Sequence, residues 1–261
     1  MKQKDWLASV VGGIILGVAI IALQAFGYLP QAANVQAAGD VEKVLTKTLQ
    51  SHQKWSSFQG EAQLTQYDTD NNPHIDLITI EVEQPLKANV AFKASDDKVK
   101  TNNKWVSDGV KIFKIDDKNL SYTESNIPGF AMKLDFIPQS LADVKKDEVY
   151  HHPFEMLLSN PIMEYVYPVW FAQARSGSKY QLLGEETVAE RPTWKVDLLT
   201  ETDHVIAWID QDTGIILKYF QESGGQTVVE MEFIWAQFNK KIDNQKFSAP
   251  DKTKYRLSEN Q

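Results

Sequence analysis

The segment 207–250, AWIDQDTGIILKYFQESGGQTVVEMEFIWAQFNKKIDNQKFSAP, constrains the fold more than any other part of the chain. Three stretches of alternating or near-alternating apolar residues are separated by two turn signals, Asp212-Thr213-Gly214 and Ser223-Gly224-Gly225. Glycine supplies the positive φ that tight hairpins need, so the pattern reads as a three-strand antiparallel meander. Successive side chains of a strand point to opposite faces. In the third stretch this puts Val229, Met231, Phe233 and Trp235 on one face, with Glu230 and Glu232 on the other. A face so apolar and aromatic either packs a core or lines a pocket for an apolar ligand.

The same period of two recurs upstream. Strands are expected over 61–67, 75–83, 88–93, 98–106, 110–116 and 119–124, separated by polar turns such as Asp68-Thr69-Asp70-Asn71-Asn72-Pro73 and Ser107-Asp108-Gly109. Ile78, Ile80 and Val82 share one face of the second strand, opposite Thr79, Glu81 and Glu83, and Val90 and Phe92 share a face of the third. Before them, 30–39 reads as a small-residue linker. Asp40 reads as the N-cap of an amphipathic helix over 41–54, with Val41, Val44, Leu45, Thr48 and Leu49 at helical spacing.

The alternation breaks over 125–141, where Pro128, Gly129 and Pro138 sit among apolar residues, and over 153–158 and 161–174. Proline is tolerated at a helix start, so the last two read as short, strongly apolar helices. Strands resume over 179–183 and 193–199. The expected fold class is mainly β (α+β): a single curved antiparallel sheet with helices covering its concave side, or two stacked sheets. The helices either plug the core or form a movable cover over an apolar cavity. Met132, Met156 and Met163, with Phe130 and Leu134, suit a cover, because flexible methionines adapt to varied ligands.

The first 37 residues read as a separate element, ahead of one domain over 38–261. Residues 6–29 carry no charge over 24 positions, against the roughly 20 that span a bilayer. Lys2 and Lys4 place the N-terminus in the cytoplasm and the remainder outside. The length of the run supports an uncleaved transmembrane anchor. Val35-Gln36-Ala37 supports a signal peptide cleaved near Ala37. Either way the domain is extracytoplasmic, in the cell envelope, and reaches the membrane through this segment. The chain has no Cys, hence no disulfide framework and no thiol chemistry. Its net charge of −8 disfavours nucleic acid and repels anionic headgroups.

Catalytic and cofactor signals are missing from the sequence. Asp68–Asn72 starts like a calcium loop, but Pro73 and Thr79 stand where that loop needs Gly and a bidentate Glu. His52, His74, His151, His152 and His204 have no ligand-like spacing. No nucleophile elbow, phosphate-cradling glycine loop or zinc-protease motif occurs. The expectation is a binding protein without metal or cofactor rather than an enzyme.

The run Gly184, Glu186, Val188, Arg191, Trp194, Val196 and Leu198 resembles the approach to the final sheet in the LolA-like superfamily. Trp208-Ile209-Asp210 with Thr213-Gly214 and Lys218 is similar to its W-[IV]-D-x-x-T-G-x-x-x-K pattern. Phe233, Phe238-Asn239, Ile242, Phe247 and Pro250 resemble its closing pattern. That superfamily includes lipoprotein-sorting carriers and RseB/MucB-type envelope regulators. The resemblance implies an incomplete antiparallel β-barrel wrapped around helices, with an apolar cavity for lipid acyl chains or lipoproteins. Strand parity nominates Ile78, Ile80, Val82, Val90, Phe92, Val229, Met231, Phe233 and Trp235 as its lining. The alternative is a membrane-anchored sensor or regulatory module that binds a membrane-protein partner.

Overall fold

A computed structural model describes residues 32–94, 102–133, 137–145, 148, 150–173 and 178–258. The charge-free segment 6–29, the start of the strand expected at 98, and Leu134 lie outside the described residues. By contacts the chain divides into two units, Met1–Asp40 and Val41–Gln261. Among the described residues no helix is long and apolar enough to cross a membrane.

Helix α1 spans Ala32–Leu49, so it runs straight through Asp40. The expected linker and N-cap are corrected here: Ala32, Ala33, Ala37 and Ala38 are strong helix formers, and their propensity outweighs the capping preference of Asp40. Val41, Val44, Leu45 and Leu49 of this helix are buried in the main core.

Twelve strands form one sheet: β1 (Ser57–Tyr67), β2 (Pro73–Glu83), β3 (Lys87–Ala94), β4 (Asn102–Asp108), β5 (Lys111–Asp116), β6 (Ser121–Asn126), β7 (Lys179–Val188), β8 (Arg191–Leu199), β9 (Asp203–Asp210), β10 (Ile216–Ser223), β11 (Gln226–Phe238) and β12 (Arg256–Leu257). Their spatial order is β12-β6-β5-β4-β3-β2-β1-β11-β10-β9-β8-β7. Neighbours are antiparallel except β12, which lies parallel to β6. The mainly β, open antiparallel architecture is as expected, and a single sheet replaces the two-sheet alternative. Register irregularities at Glu61/Ala62, Leu182/Gly184, Ile216/Lys218 and Gln221/Glu222 bend it, since a bulge increases local twist.

The buried face follows the period of two across the register. Ile78 faces Ala62 and Phe92, Ala62 faces Phe233, and Leu64 faces Met231, which faces Tyr219. This inner face shares one core with α1 and with the insertion, where Phe154, Leu157, Leu158, Tyr165, Tyr167 and Phe171 are buried. The insertion holds one short helix, α2 (Ile162–Val166), and a 3-10 turn over Pro153–Leu157 instead of two longer helices. A smaller cluster of Val106, Phe113, Ile115, Tyr122 and Tyr255 sits apart from this core.

Gly60 leaves no room for a side chain between β1 and β11. A Cβ there would lie 2.9 Å from the Phe233 ring and 3.0 Å from the Trp235 carbonyl oxygen. The missing side chain lets the ring lie across β1, beside Phe58 at 5.5 Å between centroids.

Candidate functional site

Ile78, Ile80, Val82, Val90, Met231 and Phe233, all expected to line a cavity, are buried in the core with the insertion. Val229 and Phe92 are partly buried against it. Trp235 is corrected. The bulge pairs Ala62 with Phe233 but Glu61 with Trp235, so Ile234 is an extra residue and the parity reverses. Trp235 joins the face of Glu61 and is 38% exposed, and Ile234 beside it is 55% exposed. Ala236 and the half-buried Phe238 take the inner positions opposite Gly60 and Phe58.

On the β3–β6 side, the inner face changes character. Val90 faces Trp105, Trp105 faces Lys114 and Lys114 faces Thr123; in the next row Phe92 faces Asn103 and Asn103 faces Asp116. Among the described residues the cover reaches this side through Ser159 and Asn160, which line a groove of about 640 Å³. His74, Asp76, Phe92, Asn103, Trp105, Lys114, Ser159 and Asn160 are among its lining residues. That volume lies within the range of small-molecule sites.

Unsatisfied polar atoms distinguish this groove. Asp76 Oδ1, Trp105 Nε1 and Ser159 Oγ are buried without a hydrogen-bond partner among the described residues. Leaving such a group unpaired costs about 1–3 kcal/mol, so a native fold normally supplies a partner. The other Asp76 oxygen is 3.3 Å from His74 Nε2. The Lys114 ammonium lies over the Trp105 ring, 4.4 Å from its centroid.

A second groove, of about 650 Å³, includes Gln63, Trp208, Lys218, Glu230 and Glu232 in its lining. None of its side-chain polar atoms is both buried and unpartnered among the described residues. Lys218 pairs with Glu232 at 2.8 Å, Tyr67 donates to Glu230 at 3.3 Å, and Trp208 Nε1 donates to Glu186 at 2.6 Å. Nothing there waits for a ligand.

The titratable clusters offer little chemistry. His204 is held between Asp197 at 2.8 Å and Glu222 at 3.2 Å; the Glu222 hydrogen bond first, then the Asp197 charge, raise its pKa. With both ring nitrogens engaged it has no lone pair to offer a substrate. Asp68, from the calcium-like start, accepts the Asp70 and Asn72 backbone N–H groups and caps its own turn. Among the described residues no group of three or more His, Asp or Glu side chains could hold a metal ion. The motif residues Asp210 and Thr213 make a buried turn. Asp210 accepts from the Thr213 N–H and hydroxyl, each at 2.7 Å, and from Arg191 Nε at 2.5 Å.

Parity extended one strand further, from Ile80 through Val90 to Trp105 and Lys114, was the sequence signal that could have found the groove. Ser159 and Asn160 carry no such signal, because they enter from a turn.

No protein-family model and no curated protein sequence matches the chain. Solved structures similar to it include the MucA/MucB complex of Pseudomonas aeruginosa, at 16% identity and TM-score 0.46, covering 81% of this chain and 61% of that one. They also include the lipoprotein LppX of Mycobacterium tuberculosis, at 12% identity and TM-score 0.44, covering 78% and 98%. A LolA superfamily protein from Nitrosomonas europaea is similar at 9% identity and TM-score 0.36, covering 79% and 96%. The chain spans under two thirds of the MucB chain.

Proposed function

We propose that this protein binds acyl chains of lipids or lipoproteins outside the cytoplasm, as a carrier or chaperone, held at the membrane by its N-terminal segment. One observation carries the reading. The apolar inner face continues, through Phe92 opposite Ile78 and Trp105 opposite Val90, into a groove that the helical cover leaves open. An acyl chain laid along these residues gains about 0.8 kcal/mol per buried CH₂, with no charged contact required. Deeper entry requires the insertion to move off Ile78, Ile80 and Phe233, and the half-buried Met156 and Met163 sit at that boundary.

The test is native mass spectrometry of the purified full-length protein for co-purifying lipid, followed by displacement of a fluorescent fatty acid. Bound lipid and displacement are expected, and Phe92→Asp should weaken probe binding at least tenfold. Absence of both would overturn the reading.

The regulatory alternative rests on a different observation. Ile234 and Trp235 stand exposed side by side, away from the inner face, as an anchor for a protein partner would. Partner binding that is lost in Trp235→Ala, in a protein free of lipid, would favour it.

A further inference from the structure

The groove's polar atoms are arranged for more than a hydrocarbon chain. Asp76 is 8% exposed, and its Oδ1 has no donor among the described residues. An acid in that position normally takes two or more hydrogen bonds. Trp105 Nε1 and Ser159 Oγ, lining the same groove, are likewise unpartnered. Trp105 offers a donor only, Ser159 offers either role, and the Asp76 carboxylate accepts only. Lys114 adds a positive charge against the Trp105 ring and makes no ion pair among the described residues.

The other charged residues of the groove are already engaged. Lys104 reaches Asp117 at 3.6 Å. Asp116 accepts the backbone N–H groups of Lys118 and Asn119 and the Asn119 amide. His74 holds the second Asp76 oxygen. The unmet demand is therefore specific: an acceptor for Trp105 Nε1–H, with the exposed Lys114 ammonium beside it, and a donor for Asp76 Oδ1.

We infer that the groove recognises the head of an amphiphile, one bearing an anionic phosphate together with a hydroxyl or ammonium donor. The phosphate accepts from the Trp105 indole and Lys114, and the donor group is received by Asp76 Oδ1. This rests on the acyl-binding reading, since the tail of the same molecule runs along Phe92 toward the core. A plain fatty acid satisfies only the first half of the demand. A phospholipid with a glycerol or ethanolamine head satisfies both.

The experiment compares lysophosphatidylglycerol with dodecanol as competitors for the fluorescent fatty acid on the full-length protein. It is repeated in Trp105→Phe, which keeps the ring and removes the N–H, and in Asp76→Asn and Lys114→Met. Thermal unfolding confirms that each variant is folded. One charge-assisted hydrogen bond corresponds to roughly a tenfold change in affinity. Lysophosphatidylglycerol should bind at least tenfold more tightly than dodecanol. Asp76→Asn and Lys114→Met should each lose about that factor for the phospholipid while binding dodecanol unchanged, and Trp105→Phe, which also trims the acyl path, should lose more for the phospholipid than for dodecanol. The Trp105 indole N–H resonance should shift downfield with the phospholipid alone. Equal binding of both competitors, unaltered by the three variants, would overturn the head-group assignment and leave acyl binding intact. Failure of both to displace the probe would remove the acyl-binding reading itself.

Discussion

His152 lies flat against Tyr167, their ring centroids 4.4 Å apart and their planes 11° from parallel. Neither His152 Nε2 nor the Tyr167 hydroxyl has a hydrogen-bond partner among the described residues. The His52 ring, in the 3-10 turn that follows α1, has its centroid 4.6 Å from that of His152, so two buried imidazoles lie in contact.

That stack makes stability depend on pH. Burial lowers His52 to about 4 and His152 to about 2, the latter helped by the His52 charge. Histidines held neutral in the fold contribute stability that is present above about 6.5 and lost as pH falls. Glu155 acts in the opposite sense. Burial, then the Glu164 charge, raise it to about 7, so its contribution is lost as pH rises from 4.5. Between pH 4.5 and 6.5 two histidines oppose one carboxylate. Stability should fall by about 1.4 kcal/mol per pH unit on acidification. Urea unfolding across that range should show the slope, and His152→Phe should flatten it. A wild-type profile already flat would refute the assignment.

The register change at β11 predicts unequal outcomes for two aromatic residues two positions apart. Phe233→Ala should cost about 3–5 kcal/mol, as for a large core side chain. Trp235→Ala should cost less than about 1 kcal/mol, despite removing more atoms. Chemical denaturation of both variants decides whether the bulge is where the structure places it.

Gly214 joins the meander to the helix. Its φ is +78°, and a Cβ there would lie 2.5 Å from the Lys47 carbonyl oxygen of α1. Gly214→Ala thus strains its own backbone and pushes against a helix that cannot give locally. A loss of at least about 2 kcal/mol is expected. Gly225→Ala, also at positive φ but with open space around it, should lose less.

Asp210 is fully buried and organises the same turn. Asp210→Ala leaves the Thr213 N–H without its acceptor and the half-buried Arg191 guanidinium with the exposed Asp212 in place of a buried carboxylate, and should cost about 3–5 kcal/mol. Arg191→Met leaves Asp210 its Thr213 hydrogen bonds and should cost less. Equal losses in thermal unfolding would show that the ion pair, rather than the turn, holds this corner.

These residues also show what could be read from sequence and what could not. Alternation located β1, β2 and the closing meander because each has one wet and one dry face, which a period of two records. It failed at Trp235, since one inserted residue inverts every later side chain and leaves no mark in composition. The helix was expected from residue 41, but its extension back to Ala32 was not, because capping chemistry is local, whereas propensity sums over many residues. β12 was invisible: two residues are too few to show any period. Of the nominated lining, only Phe92 reaches the open groove, and its polar partners lie on strands whose faces alternate less cleanly.

A sheet that does not close on itself has two free margins, and these two differ. At β6, Arg256 and Leu257 already occupy part of the hydrogen-bonding edge, locked by the Tyr255 ring among Phe113, Ile115 and Tyr122 and by its hydroxyl on Asp117. A foreign strand arriving there must first evict them. At β7 the edge bends at Gly184 and carries the exposed Glu185, which meets an approaching chain with negative charge, while Glu186 is paired with Lys195 at 2.8 Å. One margin is guarded by occupation and the other by a bend and a charge, so a strand that brings its own lysine or arginine meets less opposition beyond β7 than beside β6.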